Sequence, residues 1–281
     1  MQSQSGVFPK PLIWVVCLSL LSGVVFFARE VRGESWIEHS AHLRSGLKQS
    51  ASAKNGIALV YEGPGSCAED CTAGAANAAR RAGFSVKIVG PRALAENASE
   101  DQVAALFRGA KVWVQPGGKS RTAALTMTQK LKSALVSFVR AGGGYVGYCA
   151  GAFLSTPIIG STGVAGLGLF PGKTWPYSPP PARAGLTFSI EKLSWYGGER
   201  HVYFEGGPYL LDLDPSVEVT ARYADGLVAA ARAPVGAGRI YISGPHPEAP
   251  EWWTTIDRVV DPDGTDEDLA SHMILWAAKL R

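Results

Sequence analysis

LKSALVSFVRAGGGYVGYCAGAFL, residues 131–154, holds in one stretch the end of a helix, its stop, a strand and a sharp turn into the next helix. Residues 125–140 place apolar side chains at helical spacing, and Gly142, Gly143 and Gly144 end that helix. Residues 145–148 then read as a strand that runs straight into Cys149-Ala150-Gly151-Ala152. Gly147-Tyr148-Cys149-Ala150-Gly151 has the form G-x-nucleophile-x-G. Such a turn from strand to helix strains the backbone at the central residue, and side chains at the flanking positions would collide, hence Gly147 and Gly151. Cys149 would stand at a helix N-terminus, whose partial positive charge favours the thiolate, and the Ala150 N–H would face a developing oxyanion. The alternative for this segment alone is a structural cysteine in a tight turn.

Outward from this stretch, strand and helix alternate. Ile57–Tyr61 (IALVY) is an apolar run closed by Glu62-Gly63-Pro64-Gly65, as a buried parallel strand would be, and Ser66 opens a helix through Ala82. Residues 85–89 read as a strand and 99–109 as a helix, with Glu100 and Asp101 in its first turn; residues 112–115 read as a strand stopped by Pro116-Gly117-Gly118. This order predicts an α/β fold: a doubly wound, mostly parallel, flavodoxin-like sheet covered on both faces. After Thr156 the texture changes to short strand-like runs at 186–190, 202–205, 217–223, 227–232 and 239–243, read as antiparallel additions to the same sheet. Residues 266–280 close the chain as an amphipathic helix.

The 281 residues are 46% hydrophobic and 18% charged, enough apolar material for a sizeable core. A net charge of +3 without a Lys/Arg block excludes a phosphate-tracking surface, so no nucleic-acid partner is expected. Residues 11–28 (PLIWVVCLSLLSGVVFFA) carry no charge. They read as an uncleaved membrane anchor or a cleaved export signal, which places the body of the protein outside the cytoplasm. Residues 1–33 are therefore set apart as a signal or anchor segment, 34–54 as a linker, and 55–281 as one domain. Cys17 lies inside the apolar segment. Cys67 and Cys71, four residues apart, can form a disulfide on one helical turn; the other reading is two small buried thiols on one helix face. Cys149 is the odd thiol.

Two further pieces fall at strand ends. Arg239-Ile240-Tyr241-Ile242-Ser243-Gly244-Pro245-His246-Pro247-Glu248 delivers a histidine and a carboxylate two residues apart, the second able to fix the tautomer of the first. Gly117 and Gly118 let backbone N–H groups approach a ligand and can supply a second oxyanion donor. All three pieces sit at strand C-termini, the edge where open α/β sheets build their sites. His39 and His42 fall in the linker, His201 starts a strand and His272 is on the last helix, none with a comparable carboxylate. Zinc spacing, a Walker loop and a dinucleotide fingerprint are all missing, so no metal or cofactor is expected.

Cys149 in GYCAG, His246 and Glu248 in GPHPE and the loop at 116–118 together resemble the class I glutamine amidotransferase superfamily. Within it, the resemblance is to the domain found at the N-terminus of some eukaryotic biotin–protein ligases and as stand-alone bacterial proteins. ALVYEGPGS (58–66), QPGGKS, GGGYVGYCAGAFL (142–154), LFPG (169–172), YFEGGP (203–208), VEVTARYADG (217–226) and GPHPE carry it in order. The resemblance implies Cys149 as nucleophile, His246 as general base, Glu248 as its orienter, and Gly118 and Ala150 as oxyanion donors. It implies thiolate attack on a carboxamide or related acyl carbon of a small molecule, through a thioester. The resemblance does not extend to the ligase catalytic domain or to a synthetase partner domain, so neither biotinylation nor ammonia transfer is expected from it. A competing reading is a binding protein that keeps the pocket without turnover, walled by Trp175, Tyr177, Trp195 and Tyr203. A peptidase with the same triad is a third.

Overall fold

Ile57–Tyr61 (β1) is apolar throughout because it is buried on both faces: Ala58 and Val60 point to one side of the sheet, Leu59 and Tyr61 to the other. The computed structural model describes residues 53–67, 69–90, 97–179 and 188–280. β1 pairs in parallel with Ser85–Val89 (β2) and Ala110–Gln115 (β3); Gly144–Tyr148 (β4) pairs with β3, and Gly238–Ser243 (β11) with β4. The order β2-β1-β3-β4-β11 makes the parallel half of the sheet. Beyond β11 it continues antiparallel through Val228–Val235 (β10), Glu218–Tyr223 (β9), Phe188–Trp195 (β6) and Gly198–Glu205 (β7). The fold is thus the expected α/β class, a parallel sheet extended by antiparallel strands.

Helices cover both faces. Cys71–Arg81 (α1) and Glu267–Ala277 (α7) bury Ala75, Ala79, Met273 and Ile274 against the face of Val60, Val112, Val114 and Val146. On the other face lie Glu100–Phe107 (α2), Ser120–Thr126 (α3) and Gln129–Arg140 (α4). Leu131, Leu135 and Val139 of α4 are fully buried, each worth about 1.5–3 kcal/mol relative to exposure. Ala150–Ser155 (α5) follows β4 directly.

Several boundaries differ from those read in the sequence. The helix expected at 125–140 is two, because the Thr128 hydroxyl accepts the Leu131 N–H at 3.2 Å and caps a new start. The helix expected from Ser66 begins at Cys71. Ser66 instead folds back, its N–H and hydroxyl both donating to the Gly63 carbonyl at 2.9 Å, and bridges Gly118. A two-stranded ribbon of Lys173–Pro176 (β5) and Pro208–Leu211 (β8), and a helix at Glu251–Asp257 (α6), were not read at all.

One expectation is overturned. No helix among the described residues is long and apolar enough to cross a membrane. The longest, α4, has 12 residues and spans about 18 Å, against the ~30 Å of a hydrocarbon core. The membrane anchoring, the membrane partner and the extracytoplasmic location read from residues 11–28 are corrected on that finding; residues 11–28 themselves, with Cys17, His39 and His42, lie outside the described residues.

Candidate active site

β3, β4 and β11 are neighbours in the sheet, so the turns at their C-terminal ends are neighbours in space. At the end of β4, Cys149 adopts φ 47° and ψ −103°, a left-handed strain for a residue with a side chain. Its N–H donates to the Ser243 carbonyl at the end of β11, 2.8 Å away. The glycines on either side answer to contact. A Cβ on Gly147 would stand 2.6 Å from the Gly151 backbone, and one on Gly151 would overlap the Gln115 carbonyl oxygen of β3. The Gly151 carbonyl also accepts the Tyr145 hydroxyl at 2.8 Å. Ala150 is the first residue of α5, and its N–H has no carbonyl four residues back within the helix to bond to.

His246 is held from three sides. Its N–H donates to the Tyr203 carbonyl at 2.8 Å, its Nδ1 lies 2.9 Å from Glu248 Oε1, and the rings of Tyr203 and Trp253 meet it edge-on at 6.0 and 5.4 Å. His246 and Glu248 are each only 2% exposed. Their remaining polar atoms, His246 Nε2 and Glu248 Oε2, have no hydrogen bond of good geometry among the described residues. Cys149 lies beside the same imidazole, while its thiol donates to the Glu205 carbonyl at 3.4 Å.

Burial by itself would lower the proton affinity of His246. The Glu248 carboxylate, and after it the Cys149 sulfur, overcome that effect and hold the imidazole pKa well above its ordinary value. His246 thus lies between a carboxylate and a sulfur that both favour its protonated form. Tyr148, next to the nucleophile, stays a neutral phenol: burial raises its pKa well above 10.0, and the field of Glu248 adds to that.

Gly117 and Gly118 complete the ring of turns. A Cβ on Gly117 would sit 2.7 Å from His246 Cε1 and 3.2 Å from Cys71 Sγ, so only glycine leaves room for the imidazole. Gly118, at φ 125°, faces the Gly65 carbonyl. Cys67 and Cys71 are joined in a disulfide with Cα atoms 5.2 Å apart, leaving Cys149 a buried free thiol. The structure therefore gathers Cys149, His246, Glu248, Gly117, Gly147, Ala150 and Gly151, with Gly118 and the disulfide just behind. Of the aromatics read as a wall, Tyr203 touches His246, Tyr177 stacks on Tyr223 at 3.7 Å, Trp175 is exposed and Trp195 belongs to the core.

Sequence reasoning missed Tyr203 and Trp253 as partners of His246, and Gly74 of α1, where a Cβ would stand 2.9 Å from the Glu248 carbonyl oxygen. A glycine inside the alanine-rich run AGAANAA was the available signal of a close approach. Among the described residues no group of three His, Cys, Asp or Glu side chains is placed to hold a metal ion.

Comparison with known proteins agrees with this architecture. Residues 57–160 match the family model described as biotin-protein ligase, N terminal. The biotin–protein ligase of Schizosaccharomyces pombe is 26% identical over 157 residues, which is 48% of this chain and 25% of that protein. The match thus spans a quarter of the length of that relative. A solved structure described as a glutamine amidotransferase superposes with a TM-score of 0.55 at 22% identity, covering 79% of this chain and 98% of the other. The family model and the ligase agree with the resemblance to the biotin–protein ligase N-terminal domain, the model over a stretch that includes GYCAG and ends before GPHPE, and the fold is that of the glutamine amidotransferases.

Proposed function

We propose, from that likeness, that residues 55–281 form a thiol-dependent hydrolase of small amides or related acyl compounds, with Cys149 as nucleophile, His246 as acid and base, and Glu248 as orienter. One observation carries the reading: a fully buried His246–Glu248 pair at 2.9 Å whose second imidazole nitrogen is left without a good partner beside a strained elbow cysteine. A structural histidine has no need of a buried, unsatisfied nitrogen, which ordinarily costs about 1–3 kcal/mol. The family match ends at residue 160 and so includes Cys149 but neither His246 nor Glu248; their roles rest on geometry alone.

Chemically, the Cys149 thiolate attacks the carbonyl carbon, and the carbonyl oxygen takes the negative charge facing the Ala150 and Gly118 N–H groups. His246 gives its Nε2 proton to the leaving nitrogen, the C–N bond breaks, and a thioester remains on Cys149. Water then gives a proton to His246 and attacks the thioester, releasing the carboxylic acid and restoring the thiolate. Glu248 accepts from Nδ1 and keeps that proton in place throughout.

The test is ammonia release from a panel of small primary amides, glutamine among them, by the full chain and by Cys149→Ala and His246→Ala. Turnover of one amide that falls roughly a thousandfold or more in both variants supports the reading. A panel left untouched, with an amide nonetheless bound in the pocket, would make the chain a binding protein.

A further inference from the structure

We infer that the Cys67–Cys71 disulfide is a positioning device for this site, joining the clamp on the 117–118 loop to the helix behind Glu248, so that reducing it disables Cys149. The inference rests on the proposed roles of Cys149, His246 and Glu248.

The local chain dictates the clamp. Gly63-Pro64-Gly65 turns back on itself, with Gly65 at φ 92°. The Gly65 carbonyl then accepts the Lys119 N–H at 2.6 Å, and Ser66 lies opposite Gly118 in an antiparallel bridge. A Cβ on Gly118 would overlap that same Gly65 oxygen, so the two loops meet backbone to backbone. On its other side, the Cys67 carbonyl accepts the N–H groups of Asp70, Cys71 and Thr72 at 3.1, 2.9 and 3.3 Å, starting α1. α1 in turn presents Gly74 to Glu248.

The disulfide spans the junction of these halves. Its Cys71 sulfur and the His246 ring bear on the same small glycine: 3.2 and 2.7 Å respectively from the point where a Gly117 Cβ would stand. Cys71 is only 5% exposed, so the sulfur is a fixed wall while the bond is intact. Reduction by an external reductant breaks the S–S bond, adds two protons and two electrons, and frees both thiols to turn about their χ1 bonds. Gly117 then loses the wall that holds it against the imidazole. A bond across four residues restrains the unfolded chain far less than one closing a long loop, and the Cys67 carbonyl bonds survive its loss. The bond's effect should therefore be local geometry rather than global folding.

The experiment uses the full chain carrying Cys17→Ser, with iodoacetamide alkylation followed by mass spectrometry on the Cys149 peptide at pH 6 and pH 9.5. Compared are the oxidised chain, the chain reduced and desalted, the reoxidised chain, and the double variant Cys67→Ala/Cys71→Ala. Reduction and the double variant should each slow alkylation at pH 6 by roughly 10- to 100-fold, the usual cost of a misplaced catalytic group. At pH 9.5 the rates should converge, and reoxidation should restore the pH 6 rate. A reduced chain that keeps its pH 6 rate overturns the inference, and so does one whose circular dichroism shows it unfolded, because the bond is then a plain staple. Should the double variant alone fail to fold, the reduced and reoxidised chains decide. Failure of the underlying reading looks different: the oxidised chain itself would be indifferent to His246→Ala.

Discussion

Replacing Glu248 by Gln removes one charge from the buried pair and keeps its shape. Three influences set the charge state of His246: burial, which disfavours the imidazolium, and Glu248 and Cys149, which favour it. With Glu248 neutral, its largest supporter is gone, so the His246 pKa falls from well above its ordinary value towards or below it. A group whose folded pKa is raised contributes stability that is complete below its unfolded pKa, about 6.5 for histidine, and is lost as pH rises through the folded value. The variant should therefore be less stable than the parent at pH 6. Breaking one side of a buried charged pair costs about 3–5 kcal/mol, and because the Gln carbonyl can still accept from Nδ1 the lower end, about 3, applies. Once His246 is neutral in both proteins, the parent is left with a buried carboxylate lacking its counter-charge, and the difference should shrink or change sign. Urea unfolding of both at pH 6 and in mildly alkaline buffer measures this, with the His246 Cε1–H resonance titrated alongside. A destabilisation below about 1 kcal/mol at pH 6, or one that does not vary with pH, would refute a Glu248-supported imidazolium.

Gly151→Ala forces a Cβ into the Gln115 carbonyl, and backbone on both sides leaves little room to yield. Overpacking of this kind costs about 1–3 kcal/mol, a fall in Tm of roughly 2–12 °C. Gly198→Ala, where the nearest neighbour is the Trp195 carbonyl at 3.5 Å, should shift Tm little; equal shifts would remove the steric account of the elbow. Thr128→Ala should cost about 1 kcal/mol by exposing the Leu131 N–H, with Thr128→Ser recovering most of it in the same urea titration.

How much was legible depended on what each signal rests on. β1 and β2 begin and end where the sequence places them, because an apolar or alternating run bounded by turn residues has few other ways to bury itself. The elbow was legible for a related reason: glycine at 147 and 151 answers to contacts made within a few residues and with the next strand. The break at Thr128 was not, since a threonine inside a helical pattern becomes a cap only if its hydroxyl captures the Leu131 amide. α6 was hidden because Pro250 and the Trp252-Trp253 pair carry no helical period, and its Trp253 is held by Tyr203 and His246 from elsewhere in the chain. The β5–β8 ribbon joins residues more than 30 positions apart and has no local mark.

From the sequence alone came the parallel α/β sheet, the family resemblance, and the three residues to watch at its edge, because strand periodicity and turn chemistry act over a handful of neighbours. Only the tertiary structure decided that Glu248 raises the proton affinity of a buried His246, that Tyr203, Trp253 and Gly117 hold its ring, and that the Cys67–Cys71 bond backs the same glycine. Those facts depend on burial and on contacts between distant parts of the chain: β1, β3, β4 and β11 meet because they are neighbours in the sheet, while Tyr203 reaches His246 from β7 at the far end of the strand order, and neither proximity is written in the order of the chain.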